Sequence, residues 1–261
     1  MDDTGRSTAA PLGEPVGSTL RPRGGSPSGL LEVIALHPAD AEAAEAGGAD
    51  RLELVGSMRH GGLSCETATV SAVVRSTEVP VRVMLRLSEG FSTTGGELAR
   101  LIGLAGDYLA AGAEGVVFGF LNGDLDIDVP VCEAIVDGLD GAPWTFHRAI
   151  DHCLDHDRAW RNLRELDGLD AVLTAGSSLG VGHGIDDLTA RAGDPVAAEL
   201  LMAGGGLEPE HVPWLVRAGI RAFHVGSSVR PDKSWDKAYV DPGYVRAWRL
   251  LIDDNTARMS S

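Results

Sequence analysis

From residue 30 onward the chain alternates short apolar runs with longer amphipathic stretches. In stretches such as GELARLIGLAGDYLAAG, apolar residues recur three and four positions apart, which predicts helices. Eight short runs between them have the length and composition of buried strands. These are LEVIAL (31–36), RLELVG (51–56), VRVMLR (81–86), GVVFGF (115–120), PWTFHR (143–148), AVLTAG (171–176), ELLMAG (199–204) and AFHVGS (222–227). The alternation predicts parallel strands joined by right-handed crossovers.

The segments that lead into four of these strands share a glycine signal. In AGGADRLEL, AGAEGVVFG, DGLDAVLTAG and AGIRAFHVG a glycine ends a predicted helix and a strand follows within about three residues. An open doubly wound sheet is the alternative, but no GxGxxG loop follows the first strand. Eight regular units therefore favour a single closed (β/α)8 barrel, a TIM barrel, over residues 30–261.

Residues 1–29 differ in composition from the rest of the chain. They are rich in Gly, Pro, Ser and Thr and nearly free of large apolar side chains. Such a segment cannot bury enough apolar surface to offset the entropy of ordering. We predict a disordered tail.

Composition and charge narrow the range of partners. The net charge of −16 and the pI near 4.8 argue against nucleic acid and anionic membranes, both of which attract clustered Lys and Arg. Cys65, Cys132 and Cys153 form no CxxC pair, so neither a disulfide framework nor a zinc–thiolate site is indicated. With no apolar run of membrane-spanning length, we expect a cytoplasmic protein whose ligand is a small molecule or a metal ion.

Polar side chains cluster where the predicted strands end, which is where barrels of this class carry their sites. Charged groups in covered strands are costly unless they are paired. One interpretation is a structural ion-pair layer, in which Arg86 and Arg148 neutralise Glu32 and Glu53. The other is a ligand site, with Glu53, His147, Arg148 and Asp151 as catalytic candidates. The remaining candidates for the pocket are Glu32, Arg86, Thr174 and His224.

The last two strands end in MAGGG (202–206) and HVGSS (224–228). Phosphate sites of barrels are often built from these two loops, because bare glycine backbone exposes N–H donors and serine hydroxyls add more. The predicted anion ligands are Gly205, Gly206, Ser227 and Ser228. Tight loops without a ligand are the alternative.

The segment HRAIDHCLDH (147–156) offers candidate metal ligands. If the residues after Asp151 are helical, His152 and His156 lie one turn apart with Cys153 close by. Solvated side chains at the start of a helix are the alternative interpretation.

Several segments, in order, resemble the CutC copper-homeostasis family across about residues 31–250. They are LEVIAL, GGADRLEL with GGLS, FGFLNGDLDID, TFHRAID, LTAG, MAGGG and HVGSS, of which TFHRAID is the most distinctive. The resemblance implies a cytosolic barrel, often a homodimer, linked to copper tolerance and copper binding. No defined reaction comes with it.

The chain departs from the family pattern beside the first two strand carboxylates. Where the family commonly has Cys, this chain has Ile34 and Val55, so soft thiolate ligands for Cu(I) are missing there. Copper would then be bound by His147, His224 and either Cys153 or a carboxylate. The alternative function is an enzyme acting on a small phosphorylated or anionic metabolite. A third possibility is an assembly subunit with an idle pocket.

Overall fold

A computed structural model of the protein describes residues 29–237 and 239–259, apart from the side chain of Arg59. Except for Gly29, the predicted disordered tail (1–29) lies outside the described residues.

Within the described residues, eight parallel strands close into a barrel in chain order, and the last strand pairs with the first. The strands are β1 (Leu30–Ala35), β2 (Arg51–Leu54), β3 (Val81–Met84), β4 (Gly115–Phe118), β5 (Trp144–Phe146), β6 (Leu169–Thr174), β7 (Leu201–Gly204) and β8 (Ala222–Val225). Each overlaps one of the predicted apolar runs, so the predicted barrel is confirmed.

Helices cover the outside of the barrel. They are α1 (Pro38–Gly47), α2 (Thr67–Val74), α3 (Gly95–Ala110), α4 (Val129–Val136), α5 (His156–Leu163), α6 (Val181–Arg191), α7 (Pro195–Leu200), α8 (Val212–Ala218) and α9 (Pro242–Met259). None of these described helices combines the length and the apolar character needed to cross a membrane.

Local signals in the sequence set where helices begin and end. Helix α3 starts after Thr94, whose hydroxyl accepts the Glu97 N–H at 3.3 Å while the Glu97 carboxylate accepts the Thr94 N–H at 3.2 Å. Helix α1 ends at Gly48, which has a left-handed φ of 95°. The glycine signal therefore marks a helix end, as predicted for AGGADRLEL.

Alternate residues of each strand face the helices or the barrel interior. The helix-facing residues form the main core, in which the Phe118 and Trp144 rings stack at 4.3 Å. Inside the barrel two smaller apolar clusters surround the charged residues. The first contains Ile34, Val55, Met84 and Val117, and the second contains Ala171, Leu173 and Met202.

At the amino end of the strands, Arg82 closes the barrel interior. Its guanidinium donates to both carboxylate oxygens of Asp170, at 2.5 and 2.6 Å, and to the Thr145 hydroxyl at 2.8 Å. Side chains fill this end of the barrel and the charge of Arg82 is paired there, so the barrel interior opens toward the carboxyl ends of the strands.

Strands β3 and β5 are shorter at their carboxyl ends than the sequence predicted. Arg86, His147 and Arg148 therefore lie after β3 and β5 rather than inside strands. After β3 the main chain is hydrogen-bonded to the loop that follows β2: the Arg86 N–H donates to the Ser64 hydroxyl at 2.9 Å. These three side chains consequently project from loops at the mouth of the barrel.

Candidate functional site

A cavity of about 550 Å³ opens at the carboxyl end of the barrel. Its wall consists of residues from β1, β2, β3, β6 and β8 and from the loops that follow β2, β3, β5, β6, β7 and β8. Apolar side chains such as Val55 and Trp235 alternate there with ionisable ones. A concave, largely apolar space with a few polar groups is typical of a small-molecule site.

The structure brings most of the predicted site residues to this cavity. The predicted residues that line it are Glu53, Arg86, His147, Arg148, Gly205, Gly206, His224, Ser227 and Ser228. Glu32, Asp151, Thr174 and Cys153 are buried behind its wall. Glu32 and Asp151 bond to residues of the wall, as described below, and Thr174 bonds to Asp151. Cys153 packs in the main core.

Four ionisable side chains form a buried chain from the barrel interior to the cavity. Arg51 Nε donates to Glu32 Oε2 at 2.5 Å, and Glu32 Oε1 lies 2.7 Å from His224 Nδ1. His224 Nε2 lies 3.6 Å from Glu53 Oε2. Strand register causes this order, since Glu32 is paired with Arg51 on one side and with His224 on the other. Glu53 Oε1 has no hydrogen-bond partner among the described residues.

The two carboxylates of this chain have opposite pKa shifts. Burial alone would raise the pKa of Glu32, but the charge of Arg51 and the hydrogen bond with His224 hold it well below its ordinary value. Burial raises the pKa of Glu53 to about 7, because the opposing charge of His224 only partly compensates and the charge of Glu32 adds to the rise. Environments that push two neighbouring carboxyl pKa values apart are a hallmark of acid–base sites.

His224 stands between these two carboxylates. Burial lowers its pKa, but the hydrogen bond with Glu32 and the charge of Glu53 outweigh burial and raise the pKa above its ordinary value. The charges of His224 and Glu53 thus act on each other, raising the pKa of His224 and opposing the rise in the pKa of Glu53.

His147 has a defined tautomer. Its Nδ1 accepts the Ala149 N–H at 3.2 Å, so the proton of the neutral ring lies on Nε2. Burial, with the charge of Arg86 second, lowers its pKa to about 3, which keeps the ring neutral at physiological pH. Nε2 is buried and has no partner among the described residues. The ring thus provides a neutral N–H donor with no acceptor.

Arg148 is held in place from behind. Its Nε donates to Asp151 Oδ2 at 2.8 Å, and Asp151 Oδ1 accepts the Thr174 hydroxyl at 2.5 Å. The guanidinium packs against Gly205, where a Cβ would come within 2.5 Å of Arg148 Nε. Asp151, predicted as a catalytic residue, lies outside the cavity wall and acts through Arg148, as does Thr174.

Arg86 differs from the other buried arginines. Its Nε donates to the Gly90 carbonyl at 3.0 Å, and its Nη1 donates to the carbonyls of His60 and Gly62 at 2.6 and 3.2 Å. No carboxylate oxygen of the described residues lies within 4.0 Å of its guanidinium nitrogens, whereas Arg51, Arg82 and Arg230 all have one. Carbonyl dipoles, the Phe91 ring and the more distant charge of Glu89 act on the Arg86 cation, which has no carboxylate in direct contact.

The glycine loops after β7 and β8 face the same cavity. Gly205 and Gly206 have φ of 90° and 74°, which only glycine adopts readily. The main-chain N–H groups of Gly206, Ser227 and Ser228 donate to no acceptor among the described residues. The predicted anion ligands are thus gathered at one side of the cavity.

The pairing in the predicted ion-pair layer is wrong. Glu32 is neutralised by Arg51, while Arg86 and Arg148 contact neither glutamate. The sequence analysis missed Arg51, although Arg51 and Glu53 are two positions apart in one strand and therefore face the same side. It also missed Phe91, which lies in the loop after β3 and carries no strand or helix periodicity.

The predicted metal ligands do not come together. No group of three or more His, Cys, Asp and Glu side chains in the described part of the chain is arranged to hold a metal ion. The one-turn spacing of His152 and His156 is wrong, because a 3-10 turn ends at His152 and α5 starts only at His156. Burial raises the pKa of the Cys153 thiol to about 12, which disfavours the thiolate that binds copper.

His147 does not fit a metal ligand either. A neutral imidazole that binds a metal through Nε2 carries its proton on Nδ1 and donates it to an acceptor. Here Nδ1 faces the Ala149 N–H instead. The set His147, Cys153 and His224 therefore does not fit copper.

The fold and the cavity together define a parallel (β/α)8 barrel with a polar-lined cavity at the carboxyl ends of its strands. Among solved structures, a protein of Streptococcus agalactiae described as a copper homeostasis protein CutC superposes with a TM-score of 0.69 at 23% identity, over 76% of this chain and 98% of that one. A structure described as a dihydrodipicolinate synthetase from Pseudomonas aeruginosa has a TM-score of 0.61 at 15% identity, over 89% of this chain and 79% of that one.

Sequence comparison identifies the family. The model of the CutC family matches residues 30–229. A relative from Klebsiella pneumoniae (strain 342), described as a CutC family protein, is 34% identical over 198 residues, which cover 75% of this chain and 78% of the relative. Another from Aliivibrio fischeri (strain MJ11) is 32% identical over 192 residues, 72% of this chain and 77% of the relative. The chain belongs to the CutC family, which confirms the resemblance in its motifs.

Proposed function

We propose that this protein is an enzyme that binds a small phosphorylated or otherwise anionic metabolite in the cavity and transfers a proton on it. The observation that carries the proposal is Glu53, a buried carboxyl with a pKa raised to about 7 and an unpartnered Oε1 at the cavity. A group whose pKa lies near the working pH is suited to both proton donation and proton abstraction.

The surrounding residues support this role. Glu32 and Arg51 fix the orientation and charge of His224, which exchanges a proton with Glu53. Across the cavity, Arg148 and the unpartnered N–H groups after β7 and β8 provide positive potential for the anion. In the complex, the negative charge of the ligand would balance the Arg148 guanidinium. Glu53 would alternate between its protonated and its ionised form.

The test is solvent-deuterium exchange. The protein is incubated in D₂O with a panel of phosphorylated sugars and phosphorylated hydroxy and keto acids, and loss of carbon-bound hydrogen is followed by ¹H NMR. We expect exchange on one chemical group of the panel, with Glu53→Gln slower by roughly 10²- to 10⁴-fold.

Glu42→Gln is the matched control, since it makes the same change at an exposed position of α1 and should exchange like the unmodified protein. Equal exchange rates for Glu53→Gln and the unmodified protein would rule out Glu53 as the proton-transfer group. Absence of exchange across the whole panel would argue against the proposed reaction class.

Copper binding is the second candidate. The Streptococcus relative is described as a copper homeostasis protein, and the thioethers of Met58 and Met84 line this cavity beside His224. Thioether sulfur and imidazole nitrogen are ligands that Cu(I) accepts. We rank copper second because Glu53 and Glu32 hold both nitrogens of His224 in acid–base contacts.

An anaerobic Cu(I) titration against a competing chelator separates the two candidates. Stoichiometric binding that is weakened in Met84→Leu and unchanged in Met259→Leu, an exposed control, would favour copper. Failure to compete with the chelator would remove copper binding as a function of this cavity.

A further inference from the structure

Two donors without a protein acceptor lie on the side of the cavity formed after β3 and β5, and one of them, His147 Nε2, is fully buried. Arg86 uses Nε and Nη1 for main-chain carbonyls, and its Nη2 donates to no described residue. His147 presents Nε2–H, which is also unpartnered. The relative exposure of the whole residue is only 5% for Arg86 and 4% for His147, so neither is a surface side chain that bulk water fully surrounds.

The two donors are close together. The Phe91 ring contacts both, with its centroid 4.9 Å from the Arg86 guanidinium carbon and 5.5 Å from the centre of the His147 ring. The charge of Arg86 also contributes to the low pKa of His147. A guanidinium edge near a neutral N–H donor favours an oxygen anion. The charge of Glu89, which contacts His60, acts on Arg86 from a distance, but no carboxylate oxygen of the described residues lies within 4.0 Å of the Arg86 guanidinium nitrogens.

Leaving His147 Nε2 without a ligand is costly. A buried donor that lacks an acceptor loses the hydration of its polar group without compensation. Since Arg86 is fixed by three carbonyls and His147 by the Ala149 N–H, both donors are already oriented when a ligand arrives. Preorganised donors of this kind add affinity because little conformational entropy remains to be lost.

We infer that Arg86 and His147 form a second anion subsite that binds a carboxylate of the ligand. It lies apart from the glycine loops after β7 and β8, so the ligand would carry a carboxylate at one end and a phosphate at the other. This inference rests on the proposed function, in which the ligand is a small anionic metabolite, and narrows it to phosphorylated carboxylic acids.

The test compares three probes by isothermal titration calorimetry: inorganic phosphate, oxalate and 2-phosphoglycolate. We expect 2-phosphoglycolate to bind more tightly than phosphate, and oxalate to bind on its own. In Arg86→Met and in His147→Asn, the affinity for oxalate and 2-phosphoglycolate should fall about tenfold or more while phosphate affinity is unchanged.

The two variants differ in how much they disturb the structure around the subsite. Arg86→Met removes three main-chain hydrogen bonds and could disturb the loops, whereas the His147→Asn amide oxygen can still accept the Ala149 N–H while the Nε2 donor is lost. Arg75→Met removes the same charge from an exposed site on the outer surface and should bind all three probes like the unmodified protein.

The outcomes distinguish this inference from the proposed function. If phosphate binds but oxalate does not, and 2-phosphoglycolate is no tighter than phosphate, the carboxylate subsite is refuted and the proposed function stands. Oxalate binding that depends on Arg86 and His147, without phosphate binding, supports the subsite and refutes a phosphate site. If no probe binds, both proposals fail.

Discussion

Two histidines of the cavity have pKa values shifted in opposite directions, and different atoms lie next to their Nδ1. His147 Nδ1 faces a main-chain N–H and its ring stays neutral, whereas His224 Nδ1 faces the Glu32 carboxylate and its pKa is raised. The same residue type therefore serves as a neutral donor at one wall and as a neighbour of two carboxylates at the other. Both histidines directly follow a phenylalanine, in TFHRA and AFHVG, and these contexts give no hint of the difference.

Glu53 makes the stability of the protein depend on pH. Its folded pKa of about 7 exceeds the ordinary value of 4.5, so the native state binds more protons than the unfolded state between these values. Stability contributed by the protonated form is complete below about pH 4.5 and is lost as pH rises through 7. The Glu53→Gln variant, which cannot ionise, should therefore be more stable than the unmodified protein above pH 7, by on the order of 1–3 kcal/mol.

Urea unfolding between pH 5 and pH 9 measures this effect. The difference in unfolding free energy between Glu53→Gln and the unmodified protein should grow with pH through the neutral range. A difference that stays constant over this range would show that Glu53 titrates in the folded protein as it does in the unfolded chain.

At the scale of elements, close packing of α6 on the end of β6 supports the arginine side of the cavity. A Cβ on Gly184 of α6 would lie 2.0 Å from the Ala175 carbonyl oxygen, so the helix and the loop after β6 touch through their backbones. The Ala175 N–H in turn donates to Asp151, the residue that orients Arg148. A glycine on the outside of the barrel thus affects a side chain that lines the cavity.

Replacing Gly184 by Ala should destabilise the protein by about 1–3 kcal/mol, because the backbones must separate to admit the methyl group. Gly106→Ala is the matched control in α3, where a Cβ has no heavy atom within 4 Å. That change should stabilise the protein by about 0.5–1 kcal/mol through helix propensity. Urea unfolding of both variants checks the prediction, and equal effects would contradict the packing argument.

At the scale of the whole molecule, closure of the barrel depends on contacts between distant parts of the chain. Glu32 and His224 are 192 residues apart in sequence and meet because β1 pairs with β8. The buried pair Asp40–Arg230, 190 residues apart, joins α1 to the segment after β8, and Asp40 also accepts the Val240 N–H. The site therefore exists only when the first and last strands are joined.

The sequence by itself determined the eight strands, their parallel order and the end of the barrel at which polar residues gather. These features follow from local periodicity and from glycines at helix ends, which act over a few residues. It also determined nine lining residues of the cavity, since most of them lie within two or three residues of a strand end.

Only the tertiary structure decided which charges meet. Arg51 rather than Arg86 neutralises Glu32, because strand register places Arg51 opposite it. Cys153, one residue beyond a 3-10 turn, packs in the core instead of reaching the cavity. Pairing of this kind depends on register and on where a strand ends. A shift of one residue would turn each side chain to the other face, which the composition of a short strand does not specify.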